Sequence, residues 1–144
     1  MRALLDVNVL IALHDPQHVH HALAVDWLEA NIAYGWASCP LTQNGCLRVM
    51  CQPSYPNPWA VHHLAPLLAA SFSAPTHMFW PDAISLLEPG RLRLDSAIGP
   101  RQLTDLYLLA LAAHHGGRFV TFDARVPVDA VVAAGPKSLH ALLA

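Results

Sequence analysis

Three aspartates occupy positions where an α/β sheet would bring their carboxylates together. Asp6 ends the apolar run of residues 2–5, and Asp123 ends the apolar run of residues 118–122. Asp105 enters a long apolar pattern with helical spacing. Ligands of open α/β sheets bind outside the carboxyl ends of the strands, so we expect the three side chains to face one pocket.

Carboxylates that converge without partners repel one another, and their pKa values rise. A divalent cation removes this repulsion, and a set of carboxylate oxygens suits a hard cation such as Mg²⁺ or Mn²⁺. The spacing of Asp6, Asp105 and Asp123 therefore predicts a hard-cation site.

Each aspartate also has an ordinary structural interpretation. Asp6 and Asp123 could each cap the turn that follows a strand, and Thr104 or Asp105 could simply begin a helix. However, leucines and alanines surround Asp105 on every side of its helix, a pattern that predicts burial. An isolated buried carboxylate is costly unless it is paired or metal-bound, which favours the functional interpretation.

Apolar strand-like runs alternate with helical patterns along the 144 residues. This alternation predicts an α/β fold, a three-layer sandwich with a central parallel sheet of four or five strands, in a single domain spanning residues 1–144. Strands are predicted at residues 2–5, 36–39, 77–80 and 118–122, with an edge strand at Val131 and Val132. Helices are predicted at residues 7–14, 18–31, 43–50, 59–71, 82–87 and 101–115, with a helical turn at residues 138–144.

Three local features refine these helices. Thr42 can cap the helix that follows it, and Pro66 predicts a kink or a late start in its helix. The pair Gly116-Gly117 is a favourable end for the most apolar helix.

Composition narrows the classes of protein. Hydrophobic residues make up 54% of the chain and charged residues 12%, which suggests a large buried surface or an interface. No apolar run reaches eighteen residues and no secretory leader is evident, so we expect a cytoplasmic protein without a membrane helix. The net charge of −2 argues against a dedicated binder of duplex DNA.

The cysteines and histidines do not predict a zinc site. The three cysteines are odd in number and lack C-x-x-C spacing, so buried free thiols are expected. The pairs His62-His63 and His114-His115 point to opposite sides of their helices and would chelate one ion poorly. His20 or His21 could line the acidic pocket, although an ordinary loop role is the simpler interpretation.

Three segments resemble PIN-domain ribonucleases. Asp6-Val7-Asn8-Val9-Leu10 is similar to the opening Asp-x-Asn-x-Leu pattern of that family. Residues 104–112 resemble its third acidic segment and residues 119–123 its fourth, in matching order across nearly the whole chain. The length of the chain and residues 41–49, Leu-Thr-Gln-Asn-Gly-Cys-Leu-Arg-Val, are similar to VapC-type toxins of toxin–antitoxin pairs.

The resemblance implies a metal-dependent endoribonuclease that hydrolyses RNA phosphodiester bonds. It implies that Asp6, Asp105 and Asp123 hold Mg²⁺ or Mn²⁺, and that the partners are an RNA substrate, a cognate antitoxin and a second copy of the chain. We expect supporting roles for Asn8, Thr121 and Arg48: the amide would orient a ligand, the hydroxyl would support one, and the guanidinium would steady phosphate.

The chain departs from the family pattern at the second acidic position, which is usually Glu. Asn44 takes that position, and no acidic residue occurs between Asn31 and Pro81 to replace it. An amide oxygen can orient a metal-bound water but brings no charge, so we expect Asn44 to face the pocket in a catalytic role.

Two alternatives remain open. A PIN-like module without catalytic activity could bind only RNA or a partner, which the Asn44 departure motivates. A phosphoacceptor receiver domain would use Asp6, Asp82 and Lys137, but it needs adjacent acids after the first strand and leaves Asp105 unexplained.

Overall fold

The computed structural model describes residues 1–143 and contains one five-stranded sheet. The strands are β1 (Ala3–Leu5), β2 (Trp36–Ser38), β3 (His77–Phe79), β4 (Arg118–Thr121) and β5 (Leu139–Ala141). They lie in the order β3-β2-β1-β4-β5, and every neighbouring pair is parallel. The predicted α/β class with a parallel sheet is confirmed, and all carboxyl ends of the strands meet at one edge.

Five α-helices connect and cover the strands. They are α1 (Val7–His14), α2 (His21–Asn31), α3 (Pro40–Met50), α4 (Val61–Ser71) and α5 (Leu103–His114). Among the described residues, no helix is long and apolar enough to cross a membrane.

Alternate residues of the strands face two separate cores, because successive side chains of a strand point to opposite faces. Leu4 and Phe119 belong to the core that α5 covers, whereas Leu5 and Val120 belong to the core beneath α1 and α3. All four side chains are fully buried, and the burial of each large apolar side chain contributes about 1.5–3 kcal/mol to the free energy of unfolding. The sheet is therefore the middle of three layers, as predicted.

Helix α5 is apolar on nearly all sides because it is buried rather than amphipathic. Six of its residues, Leu106, Leu108, Leu109, Ala110, Leu111 and Ala112, are buried. After the helix, Gly116 adopts a φ of 67°, which is the left-handed conformation that ends helices and favours glycine. The predicted glycine termination is confirmed, and β4 follows directly, so Asp105 and Asp123 are fixed by one rigid helix–strand unit.

The fifth strand is not where the sequence predicted it. Val131 forms only an isolated antiparallel bridge with Leu92, and its side chain is buried in the core that α5 covers. The segment predicted as a helical turn instead supplies β5, which pairs with β4 from Phe119 to Thr121. Pairing with the free edge of β4 satisfies more backbone groups than one isolated helical turn could.

Several helix boundaries also differ from prediction. Residues 82–87 form no helix. Helix α3 begins at Pro40, and Thr42 lies inside its first turn, where its hydroxyl accepts the Cys39 backbone N–H at 3.0 Å instead of capping the helix itself. Helix α4 starts at Val61 and retains Pro66 in its interior, so it begins two residues after the predicted position at residue 59. Pro40, the first residue of α3, is favourable there because the N–H that proline lacks would have no helical partner at that position.

Candidate active site

Asp6 lies at the carboxyl end of β1 and is the N-cap of α1. Its Oδ1 accepts the Val7 backbone N–H at 2.7 Å, and its Oδ2 accepts the Thr121 hydroxyl at 2.8 Å. The residue is only 8% exposed. Burial raises the pKa of the Asp6 carboxyl, the Thr121 and Val7 hydrogen bonds oppose that rise, and the charge of Asp123 adds to it. The capping interpretation is correct, but the cap carries a perturbed carboxylate.

Thr121 connects the carboxylate of Asp6 to the backbone of Asp123. Its buried hydroxyl donates to Asp6 and accepts the Asp123 backbone N–H at 3.3 Å. The bond between the Asp6 backbone N–H and the Val120 carbonyl, 2.9 Å long, holds the ends of β1 and β4 side by side. The relative positions of the two aspartates are thus set by the sheet itself.

Asp105 is the third residue of α5 and is half-buried, whereas Gln102 is the N-cap of that helix. The alternative in which Asp105 caps its helix is therefore excluded. Burial, and then the charges of Asp6 and Asp123, raise the pKa of Asp105 to about 6. The Asp6 and Asp123 carboxylates are therefore close enough for their charges to act on Asp105. Their joint role in holding an ion stays a prediction.

The third aspartate, Asp123, forms an ion pair with Arg125. Arg125 Nε lies 2.9 Å from Asp123 Oδ1, and Arg125 Nη2 lies 3.1 Å from Oδ2. This contact lowers the pKa of Asp123. The two residues line a pocket of about 250 Å³ with Asp105 and with residues preceding α5 and following β4: Arg101, Gln102, Val126 and Pro127.

The chemistry of these donors suits a hard divalent cation. The carboxylates of Asp6, Asp105 and Asp123 supply oxygen ligands only, and the raised pKa values of Asp6 and Asp105 identify negative charge that a cation would stabilise. Within residues 1–143, no three His, Cys, Asp or Glu side chains are already grouped closely enough to hold one ion. The donor set fits the ion in type, but a side chain must turn before the set can close around it.

Among the residues described, the pocket of Asp105 and Asp123 is not lined by Asn44, Arg48 or Asn8, nor by Asp6. Asn44 and Arg48 are exposed on α3, and Asn44 lines a groove between α3 and α4. Asn8 is exposed in the first turn of α1, and its side chain has no hydrogen-bond partner among the described residues. The catalytic role of Asn44 therefore stays a prediction, without a contact to the aspartates to support it.

Arg118 lies at the opposite end of β4 from the aspartates. Its Nη2 donates to Asn31 Oδ1 at 3.1 Å and its guanidinium lies over the Trp27 ring, 5.1 Å from the ring centroid. Arg118 begins the strand, whereas Thr121 and the aspartates lie at its carboxyl end. It therefore stabilises the packing of α2 against the sheet.

Five of the eight basic residues lie between Arg91 and Arg125, a grouping that indicates a local basic patch able to hold a phosphate backbone. Arg101 and Arg125 of this group line the acidic pocket. A signal was present in their spacing. Arg101 precedes Asp105 by one helical turn, and Arg125 follows Asp123 by two residues. Arginine this close to each acidic position could have been identified as a local charge partner.

Histidines lie beside the site but do not enter it. The rings of His18 and His20 pack on Phe122, with centroids 6.4 and 5.1 Å away, and Phe122 links Thr121 to Asp123 in the chain. His21 instead contacts the Ala12 carbonyl through Nδ1 at 2.6 Å. The interpretation of these residues as loop and first-turn histidines is the better one.

Comparison with known proteins agrees with this geometry. The chain is 48% identical over 142 residues to "Ribonuclease VapC44" of Mycobacterium tuberculosis, covering 99% of this chain and 100% of that protein. It is 45% identical over 125 residues to "Ribonuclease VapC39" of the same organism, covering 86% of this chain and 90% of the relative.

Solved structures show the same fold. A chain of the crystal structure of VapBC2 from Rickettsia felis, bound to a DNA fragment from their promoter, superposes with a TM-score of 0.59 and 13% identity over 98% of both chains. The model of the PIN domain family matches residues 3–131, which contain every aspartate of the candidate site. This chain is a member of the PIN domain family.

Proposed function

We propose that this protein is an endoribonuclease that acts as the toxin of a toxin–antitoxin pair. The observation that carries the proposal is the acidic pocket at the carboxyl edge of β1 and β4, where Asp105 has a pKa of about 6 beside Asp6 and Asp123. Such perturbation at one site of a cleft is typical of functional residues. The relatives named ribonucleases support RNA as the substrate, and the family supports this chemistry over the receiver-domain alternative.

The three aspartates would hold Mg²⁺ or Mn²⁺. A divalent ion at this site supplies Lewis-acid activation of water and neutralises charge on the phosphodiester. Asp6 is the fixed member of the set, because Val7 and Thr121 each bond one of its oxygens, and each oxygen keeps a further lone pair for an ion. The Asp105 carboxylate has no side-chain hydrogen bond among the described residues, and Asp123 must exchange its Arg125 contact for the ion.

The remaining predicted residues act from the substrate side in this proposal. Asn44, Asn8 and Arg48 are exposed on the first turn of α1 or on α3, so they can contact RNA or ordered water but do not support the carboxylates directly. The Thr121 hydroxyl fixes the orientation of the Asp6 carboxylate by donating a hydrogen bond to its Oδ2. The site therefore has a rigid carboxylate, a repelled carboxylate and a paired carboxylate, each with a different freedom to move.

An antitoxin partner and a homodimer complete the proposal. Leu23 and Leu67 are 37% and 52% exposed, so part of the apolar surface of α2 and α4 is free, whereas Leu64 and Leu68 belong to the core. A groove of about 410 Å³ between α3 and α4 could take the apolar face of a partner helix. The residues that line it are Pro40, Gln43, Asn44, Leu47, Ala65, Leu68, Ala69 and Phe72.

The test is cleavage of RNA with added Mg²⁺ or Mn²⁺. Asp6→Asn should lower the rate by more than about 100-fold, since even residues that only support metal ligands cost 10–100-fold. Asp26→Asn on the exposed face of α2 is the matched control and should cleave at the wild-type rate. Asn44→Ala should lower the rate less than Asp6→Asn does, because Asn44 is exposed and an amide brings no charge to an ion.

The outcomes separate the alternatives. Wild-type protein that folds but cleaves no RNA with either ion would identify a catalytically silent module. Cleavage by Asp6→Asn at the wild-type rate would reject the assigned site. For the toxin role, expression of the chain alone should arrest growth, and co-expression of an adjacent small gene should restore it.

A further inference from the structure

Arg125 covers the same atoms of Asp123 that an ion would need. Its guanidinium reaches both carboxylate oxygens, through Nε to Oδ1 at 2.9 Å and through Nη2 to Oδ2 at 3.1 Å. An ion bound to either oxygen competes with this guanidinium for the same lone pairs and for the same charge. Arginine and ion are therefore alternative partners of Asp123.

The arginine is free to leave. Its side chain is 90% exposed, compared with 39% for that of Asp123, and its only ion-pair partner among the described residues is Asp123. Exposed ion pairs contribute only about 0–1 kcal/mol. The Arg125 backbone N–H also donates to Asp123 Oδ1, at 2.8 Å, so the carboxylate keeps one orienting bond when the guanidinium departs.

The charge balance of the pocket indicates where the guanidinium goes. Once an ion neutralises the carboxylates, the anion that enters this pocket during RNA cleavage is a backbone phosphate. A guanidinium matches the oxygens of a phosphate in the same two-pronged geometry with which it holds a carboxylate. Arg101 lines the same pocket but makes no ion pair with an aspartate among residues 1–143, so it lacks this exchange.

We propose that Arg125 is an exchangeable arm: it holds Asp123 until a divalent ion binds, and then it binds the phosphate of the RNA substrate. The inference rests on the proposed function, because it requires both the ion and RNA at this pocket. It predicts effects of opposite sign on the two ligands. Removal of the arm strengthens ion binding and weakens RNA binding.

Ion binding is measured without RNA, from the free Mn²⁺ signal in electron paramagnetic resonance. Arg125→Ala should bind Mn²⁺ about two- to fivefold more tightly than wild type, the range that corresponds to an exposed ion pair. Arg101→Ala is the matched control, because it removes one positive charge from the same pocket without freeing a carboxylate. Its shift should be smaller. Arg125→Lys keeps the charge, loses the two-pronged contact and should lie between wild type and Arg125→Ala.

A direct readout of the exchange comes from the Arg125 Nε–H resonance in ¹⁵N-labelled protein. Titration with Mg²⁺ should shift this resonance as the guanidinium leaves Asp123. In steady-state cleavage at saturating Mn²⁺, Arg125→Ala should raise KM for a short RNA. The salt dependence of log KM should weaken by about 0.7, as expected for one lost contact to a single strand.

The failures are distinguishable. Equal tightening of Mn²⁺ binding in Arg125→Ala and Arg101→Ala would reduce the effect to general charge and overturn the exchange. An unchanged KM in Arg125→Ala would overturn the phosphate contact. Wild-type protein that binds no Mn²⁺ would overturn the ion site itself, and this inference with it, before any variant is compared.

Discussion

Two buried hydroxyls lie at the carboxyl edge of the same sheet in opposite surroundings. Ser38, at the end of β2, accepts the Gln43 Nε2 amide at 2.9 Å and lies 2.7 Å from His77 Nε2. Thr121, at the end of β4, instead connects Asp6 with the backbone of Asp123. Both hydroxyls are at most 2% exposed, so the difference lies in their partners and not in their burial.

The Ser38 network is neutral and closed. Burial lowers the pKa of His77, which keeps its ring uncharged at neutral pH, and each member of the network has a partner. The Thr121 network ends on carboxylates, and burial raises the pKa of Asp6. A closed neutral network stabilises a fold, whereas a network that holds like charges together opposes folding and is retained for function.

The largest effect should come from opening the charged network. Thr121→Val keeps the β-branched shape that suits β4 but removes the hydroxyl that positions Asp6. Because supporting partners of metal ligands typically contribute 10–100-fold, we expect RNA cleavage to fall by about 10–100-fold. Thr121→Ser, which keeps the hydroxyl, is the control and should retain most of the activity.

Thermal unfolding of both Thr121 variants should be measured beside the cleavage assay. Equal activity in Thr121→Val and Thr121→Ser would show that the hydroxyl does not position Asp6 for catalysis.

An intermediate effect is expected from the charge of Asp105. Its folded-state pKa of about 6 lies above the ordinary value of 3.8 for an aspartate, so the folded protein binds more protons than the unfolded chain between these values. With a chelator present, the free energy of unfolding should therefore fall as pH rises through this window. The loss is of the order of 1 kcal/mol, since solvent screens a half-exposed group.

Asp105→Asn should reduce this slope and stabilise the protein at pH 7 with a chelator present. Denaturant unfolding at a series of pH values provides the measurement, and Asp26→Asn serves as the control. An unchanged slope in Asp105→Asn would assign the repulsion to another group.

The smallest effect should come from the neutral network. Ser38→Ala removes one hydroxyl from Gln43 and His77, both half-buried and able to regain water. The cost to the free energy of unfolding should be about 0.5–1.5 kcal/mol, the usual contribution of one hydrogen bond. RNA cleavage should stay at the wild-type level. A loss of activity that matches Thr121→Val would end the distinction between the two networks.

The sequence predicted that Asp6 and Asp123 lie at the same edge of the sheet because each follows a predicted strand. Asp6 and Asp123 follow apolar runs, and parallel strands bring such ends to one edge whatever the loops do. The loops were less predictable. The fifth strand was assigned to Val131, which is apolar because it packs under α5 and not because it extends the sheet. Hydrophobicity reports burial, and it does not report which backbone groups pair.

The orientation of Asn44 toward the pocket stays a prediction, because alignment with an acidic motif does not fix how α3 is rotated about its axis. The rotation of α3 about its axis decides which side chain faces Asp6, and this rotation is set by packing. Thr42, Cys46 and Met50 are the buried residues of α3, and Asn44 is exposed and lines the groove between α3 and α4. The contact of Arg125 with Asp123 could not be predicted for a related reason, since a side chain two residues along a bend folds back only in three dimensions.

The absence of a side chain at Gly45 sets the spacing between α1 and α3. A Cβ at this position would lie 2.7 Å from Val7 Cγ2, so α3 approaches α1 this closely only because residue 45 has no side chain. The Val7 N–H in turn holds Asp6 Oδ1. A methyl group added at residue 45 would therefore push against Val7. The displacement would reach the Asp6 carboxylate through three covalent bonds of Val7 and the hydrogen bond from its N–H. A substitution at the uncharged residue 45 would therefore change the position of the Asp6 carboxylate without altering any charged residue.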